Sequence, residues 1–197
     1  RMGAVLAAHG VITVVCVNVE NYLGRGEEYV AKLRAMVARH LSLPHQLECI
    51  THSNKQGWWA KIDLFQPRRF SGRVLYLDLD SVIVGPLDAL VQTKGIPHLK
   101  DWGWTKNDYG SAVMVWDAGE HAEIFDRYDK TVPERCRGDQ DWLTHLGGWP
   151  ALPKGLCVSY RYLSRLAPPA GASVISFHGQ PKPHEVTDGW MPQHWKE

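Results

Sequence analysis

The stretch Val74-Leu75-Tyr76-Leu77-Asp78-Leu79-Asp80-Ser81 is an apolar run that ends in two carboxylates one residue apart. A short run with no alternating polar position reads as a strand covered on both faces. In open α/β sheets ligands gather outside the carboxyl ends of the strands, so the two acids stand where a site is expected. No basic residue lies within three positions of either one. Two such carboxylates repel each other unless a cation sits between them, and hard divalent ions such as Mn²⁺ and Mg²⁺ take oxygen ligands of this sort. A strand followed by a solvated acidic turn accounts for the same residues, and D-x-D alone leaves both readings open.

Upstream, the β-branched run Val11 to Val17 predicts a central strand. Tyr29, Val30, Leu33, Met36, Val37 and Leu41 then recur at three-to-four spacing, with Glu28, Lys32, Arg34 and Arg39 elsewhere on the wheel. That pattern is an amphipathic helix, stopped near Pro44. Gln46 to Thr51 predicts the next strand, so the chain opens β-α-β with parallel strands and a right-handed crossover. Beyond it, Trp58 to Phe65 predicts a short helix ended by Pro67, and Arg73 to Leu77 the strand already quoted. A second apolar run follows at Val82 to Val84, then a strand at Ser111 to Trp116 and a helix at Glu120 to Tyr128. A helical turn at Asp141 to Leu146 and a late strand at Ser173 to Phe177 complete the reading, with Leu166 to Gly171 as a loop. Such alternation predicts an α/β fold, with a mixed, mostly parallel central sheet and helices on both faces.

The 197 residues suit one domain, 1–197, in which residues 1–10 read as an extraneous lead-in because Arg1 stands ahead of Met2. Lys and Arg number 22 against 21 Asp and Glu, a net charge of +1 that gives no electrostatic reason to expect nucleic acid as a partner. The apolar runs Gly3 to Ala8 and Val11 to Val17 fall well short of the roughly 20 residues that span a bilayer, so no transmembrane segment is expected. Cys16, Cys49, Cys136 and Cys157 lack C-x-x-C spacing and read as reduced and structural, in keeping with an expected cytoplasmic location.

Two more segments carry chemistry. Gly138-Asp139-Gln140-Asp141-Trp142 puts two acids and an amide at a predicted helix start, where capping explains Asp139 as well as catalysis does. Phe177-His178-Gly179-Gln180-Pro181-Lys182-Pro183 offers an imidazole, a glycine permitting close backbone approach, and an ammonium suited to phosphate. Taken singly, a residue like His178 is more often a surface or satisfied histidine than a ligand.

Trp58-Trp59-x-Lys61, the D-x-D strand, Gly138-Asp139-Gln140 and Phe177-His178-Gly179-x-Pro181-Lys182-Pro183, in that order, resemble the small nucleotide-sugar glycosyltransferases of GT-A fold. The resemblance is strongest to glycosyltransferase family 8, the glycogenin-like group with its short bacterial relatives. It implies a metal-dependent, retaining transferase that moves a sugar from a nucleoside diphosphate, a UDP-sugar by preference, to a carbohydrate or other hydroxyl acceptor. By the same resemblance Asp78, Asp80 and His178 would hold Mn²⁺ or Mg²⁺, with Asp78 also at the ribose. Lys182 and Gly179 would hold the diphosphate, Lys61 would approach phosphate or donor sugar, and Ser111 would contact the donor. Asp139 and Gln140 would flank the reacting sugar, and Asn18 and Tyr22 would face the base.

The chain departs from the family pattern at three places. The usual H-x-x-G-x-x-K-P is shortened to His178-Gly179-Gln180-Pro181-Lys182-Pro183; an Asn-Ser pair is Gly110-Ser111; and the acid three residues ahead of Asp139 is Cys136. Two rival readings accompany the first. One is a dehalogenase-like phosphatase, whose D-x-D follows the first strand, whereas here a β-α-β unit precedes it. The other is a nucleotide-sugar-binding domain without turnover. Trp58, Trp59, Trp142 and Trp149 are candidate sugar platforms or core residues.

Overall fold

The computed structural model of the protein describes residues 10–106, 108–163 and 165–197. Residues 1–9, most of the expected lead-in, lie outside the described residues. The described strands are, in chain order, β1 (Ile12–Val17), β2 (His45–Ile50), β3 (Arg73–Leu77), β4 (Ser81–Ile83), β5 (Val113–Asp117), β6 (Cys157–Ser159) and β7 (Val174–Ser176). Among the described residues two α-helices exceed two turns, α1 (Gly26–His40) and α2 (Asp139–Leu146).

The first sheet runs β2-β1-β3-β5, with β1 parallel to both neighbours and β5 antiparallel to β3. Because successive strand residues face opposite sides, β3 feeds two cores. Leu75 and Leu77 join Val14 and Cys16 under α1, which presents Tyr29, Leu33, Met36 and Val37 to them. Val74 and Tyr76 join Val15, Met114 and Trp116 beneath the other layer, built from the 3₁₀ segment Gly57–Phe65 and from Trp142 and Leu143 of α2. Each large apolar side chain buried this way contributes about 1.5–3 kcal/mol, less the entropy of ordering it. Helices therefore cover both faces, and the mixed sheet matches the predicted class.

A second sheet, β4-β7-β6, was not expected: β7 meets the late strand expected at Ser173 to Phe177 and β4 overlaps the apolar run at Val82 to Val84, but β6 and the pairing of the three were not foreseen. Its strands are three residues each, too short to show a period. The expected helix over Glu120 to Tyr128 shrinks to one turn, Glu123–Asp126, while α2 begins two residues before the predicted turn. The cysteines are all free, and Cys16, Cys136 and Cys157 are buried as small apolar groups. No helix of the described residues is long and apolar enough to cross a membrane.

Candidate functional site

Strand β1 sits between β2 and β3, so the chain reverses direction across the sheet there and leaves a crevice beyond the carboxyl ends of β1 and β3. A cavity of about 790 Å³ occupies that position. The D-x-D segment crosses its floor between the two sheets: Asp78 follows β3, its N–H donating to Ala112 O at 2.8 Å, and Ser81 opens β4. Leu79 turns into the core while Asp78 and Asp80 both face the cavity.

Each acid has its own partners. Asp78 Oδ1 accepts from Tyr76 Oη at 2.5 Å and lies 2.8 Å from Lys61 Nζ. Asp80 Oδ2 accepts from Tyr22 Oη at 2.8 Å and from Lys182 Nζ at 2.6 Å. Burial, reinforced by the negative charge of Asp78, pushes the Asp80 carboxyl above its ordinary range in spite of Lys182. Burial and the same Asp80 charge raise the Tyr22 phenol, which therefore stays a donor.

Lys61 comes from the 3₁₀ segment and is held between Asp78 and Asp139, with Asp139 Oδ2 at 3.1 Å and Ser111 Oγ at 3.3 Å. Burial would lower its ammonium, but Asp139 and Asp78 outweigh that and raise it, so Lys61 is fully charged. Asp139 Oδ2 is in ion-pair reach of Lys61 yet accepts no well-directed hydrogen bond. The capping alternative for Asp139 fails. Gly138 holds the cap position with extended backbone, no side chain caps α2, and Asp139 is turned into the cavity beside Gln140. Asp141 instead forms a two-pronged pair with Arg137 at 2.7 and 2.9 Å.

The β7 end supplies Phe177, His178, Gly179 and Lys182. Gly179 has φ +74°, a conformation that glycine adopts without the penalty a Cβ would bring. His178 diverges from its expected place. Its Nε2 is 2.6 Å from Ser159 Oγ, and its ring is stacked between Trp102 and Tyr162. Burial, Arg161 and Lys182 all lower its pKa, so the imidazole is neutral in a cationic corner. Asp78 and Asp80 by themselves suit a hard divalent ion, but the imidazole does not join them. Among the described residues no three His, Cys, Asp or Glu side chains come together as a ligand group. The three-ligand set therefore does not fit the residues as arranged, and no step below is routed through a metal.

Asn18 is likewise corrected. Its side chain does not line the cavity; Oδ1 accepts from the Tyr22 N–H at 3.0 Å and fits against Gly26, where an added Cβ would lie 2.1 Å from that oxygen. It shapes the Tyr22 loop rather than facing a base. Trp142 and Trp149 are core residues, Trp59 packs on Tyr128, and Trp58 is 56 % exposed at the cavity. The departures have packing reasons. A Cβ at Gly110 would lie 2.9 Å from Leu99, and Cys136 is buried in an apolar cluster.

Sequence reasoning missed Tyr76, Trp102, Trp104 and Ser176, all of which line the cavity. The signal for Ser176 was available. With H-x-x-G-x-x-K-P anchored on Gly179, Lys182 and Pro183, the spacing is intact and the imidazole position is Ser176, not His178.

The fold matches those of solved glycosyltransferases. GlyE of Streptococcus pneumoniae TIGR4 aligns with TM-score 0.65 at 14 % identity, over 87 % of this chain and 56 % of that one. The galactosyltransferase LgtC, solved with donor and acceptor sugar analogs, aligns with TM-score 0.60 at 16 % identity, over 87 % and 88 %. The bifunctional glycosyltransferase WbbM aligns with TM-score 0.56 at 13 % identity, over 88 % and 46 %. No protein-family model and no curated protein matches the sequence. At such identities the likeness is one of fold, which is GT-A-type, and the chain spans about half the length of GlyE.

Proposed function

We propose that the protein is a glycosyltransferase that moves a sugar from a nucleoside-diphosphate sugar, UDP-linked by preference, to an acceptor hydroxyl with retention at the anomeric carbon. One observation carries the reading: Asp78, Asp80, Asp139, Lys61 and Lys182 converge from four separate chain segments on one cavity, at the switch point of a fold shared with sugar transferases.

The residues divide the work by chemistry. Val17, Tyr22 and Leu23 offer an apolar and aromatic wall for a base. Gly179 and Lys182 offer a bare backbone and an ammonium for the diphosphate. Asp139 and Gln140 stand where an electron-poor anomeric carbon needs oxygen lone pairs, and Lys61 fixes the Asp139 carboxylate there. Exposed Trp58 and Trp104 present aromatic faces to sugar rings at the rim.

The test is release of nucleoside diphosphate from a panel of nucleotide sugars, with the product anomer assigned by NMR. One donor is expected to turn over with retention, and Lys61→Met to reduce turnover by about a hundredfold by freeing Asp139. Inert nucleotide sugars alongside hydrolysis of a phosphate monoester would overturn the reading in favour of a phosphatase.

A further inference from the structure

If the cavity binds a nucleoside-diphosphate sugar, something must neutralise the diphosphate as the sugar leaves. Both carboxylates that would hold a cation for that purpose already carry an ammonium, Lys61 on Asp78 at 2.8 Å and Lys182 on Asp80 at 2.6 Å. The imidazole that would complete a ligand set is bonded to Ser159 and locked between two aromatic rings. Arg161 adds to the same corner. Its Nη1 lies 4.0 Å from where a Cβ of Gly179 would be, so a guanidinium flanks the open backbone of that loop. Across the cavity three carboxylates share two ammoniums, so the cationic part is the corner at the Gly179 loop, where Lys182 lines the cavity and Arg161, outside its lining, flanks the loop and acts with Lys182 on His178. An anion is favoured at that corner and a further cation disfavoured.

We infer that Lys182, with Arg161 beside the Gly179 loop, neutralises the donor diphosphate, making transfer independent of a divalent cation. In the step, the bond between the anomeric carbon and the β-phosphate oxygen breaks, and its electron pair stays on that oxygen. The acceptor oxygen forms the new bond to the same carbon, and its proton passes to a phosphate oxygen of the departing nucleoside diphosphate. Charge grows on the phosphate as it leaves, so Lys182, released from Asp80, interacts more strongly with the transition state than with the ground state.

The probe is UDP, with GDP beside it, titrated calorimetrically into protein stripped with EDTA, while Mn²⁺ binding is followed by its electron paramagnetic resonance. Binding of one nucleotide is expected to persist in EDTA and to change by less than about threefold when Mn²⁺ is restored. Lys182→Ala should weaken it by about tenfold to a hundredfold, as for loss of a charged hydrogen bond, and Arg161→Ala by less. Asp80→Asn gives the sharpest sign. It removes the group competing for Lys182, so binding in EDTA should hold or tighten. Nucleotide binding that disappears in EDTA, returns with Mn²⁺ and is lost in Asp80→Asn, with Mn²⁺ immobilised on the wild type, would overturn the inference and leave glycosyl transfer standing. Neither nucleotide binding with or without metal would overturn both.

Discussion

The two ends of β3 are both rich in charge and are built on different rules. At its start, Arg73 is buried and fully used: its guanidinium pairs with Asp117 at 2.7 Å and donates to the carbonyls of Val91 and Thr93 at 2.8 and 2.6 Å. Lys94 closes the group on Asp117 and Glu120, both at 2.6 Å, and charges balance. At the other end, the carboxylates of Asp78, Asp80 and Asp139 share two ammoniums, Lys61 and Lys182, and the hydroxyls of Tyr76 and Tyr22 over an open cavity, and Asp139 keeps an oxygen with no hydrogen bond. The closed end pairs each of its four charges within the group. The open end pairs its groups at comparable distances, 2.6, 2.8 and 3.1 Å, but borders a cavity, so a charged substrate can exchange partners with them.

Three experiments would break or sharpen this contrast. The largest effect is expected from Arg73→Met, which leaves Asp117 without its buried partner and two carbonyls without a donor. Stability measured by urea should fall by about 3–5 kcal/mol, with nucleotide binding by the folded protein unchanged. A loss under about 1 kcal/mol would show that the closed end holds little. Next comes Gly26→Ala. In most helix positions that change stabilises by about 0.5–1 kcal/mol, but here the new methyl would meet Asn18 Oδ1 at 2.1 Å. A destabilisation of about 1–3 kcal/mol is expected, together with weaker nucleotide binding as the Tyr22 loop shifts. A stabilised variant would show that Asn18 does not brace that loop.

The smallest effect concerns pH, and its sign differs between the ends. Burial tends to raise Asp117 and Glu120, but hydrogen bonds from Lys94, joined at Asp117 by Arg73, outweigh it and hold both below their ordinary range. The folded form thus favours their ionised state. Their contribution is present above the ordinary carboxylate range and is lost as the pH falls through the depressed folded values. With side chains 36 % and 40 % exposed, each is screened and contributes under about 1 kcal/mol. Asp80 is shifted the other way. Carbon-detected NMR titration should give Asp117 a midpoint below, and Asp80 above, that of an exposed aspartate; coincident midpoints would erase the contrast.

Much of this architecture was legible in local apolar patterns. The β-α-β opening, the strand into Asp78 and the amphipathic face of α1 follow from apolar runs or helical spacing over five to fifteen residues. Of the second sheet, β7 and β4 showed as short apolar runs, whereas β6 and the pairing of three such short strands left no pattern to read. The cavity residues from the D-x-D segment, the 3₁₀ segment, α2 and the β7 end were named in advance, apart from Ser176 and the aromatic floor and wall of Tyr76, Trp102 and Trp104. Asn18 and His178 were placed by position along the chain; the Asn18 side chain turns to Gly26 and out of the cavity lining, while His178 lines the cavity but has its Nε2 engaged by Ser159.

The sequence alone determined where the acids would stand, since a strand's end and the side-to-side alternation beyond it are local properties of a few consecutive residues. Only the tertiary structure decided what each acid would meet. Lys182 reaches Asp80 across 102 residues of chain, and Ser159 takes His178 across 19. Pairings of that kind depend on how two sheets pack and which side chains fill the space between them, and no local pattern encodes them.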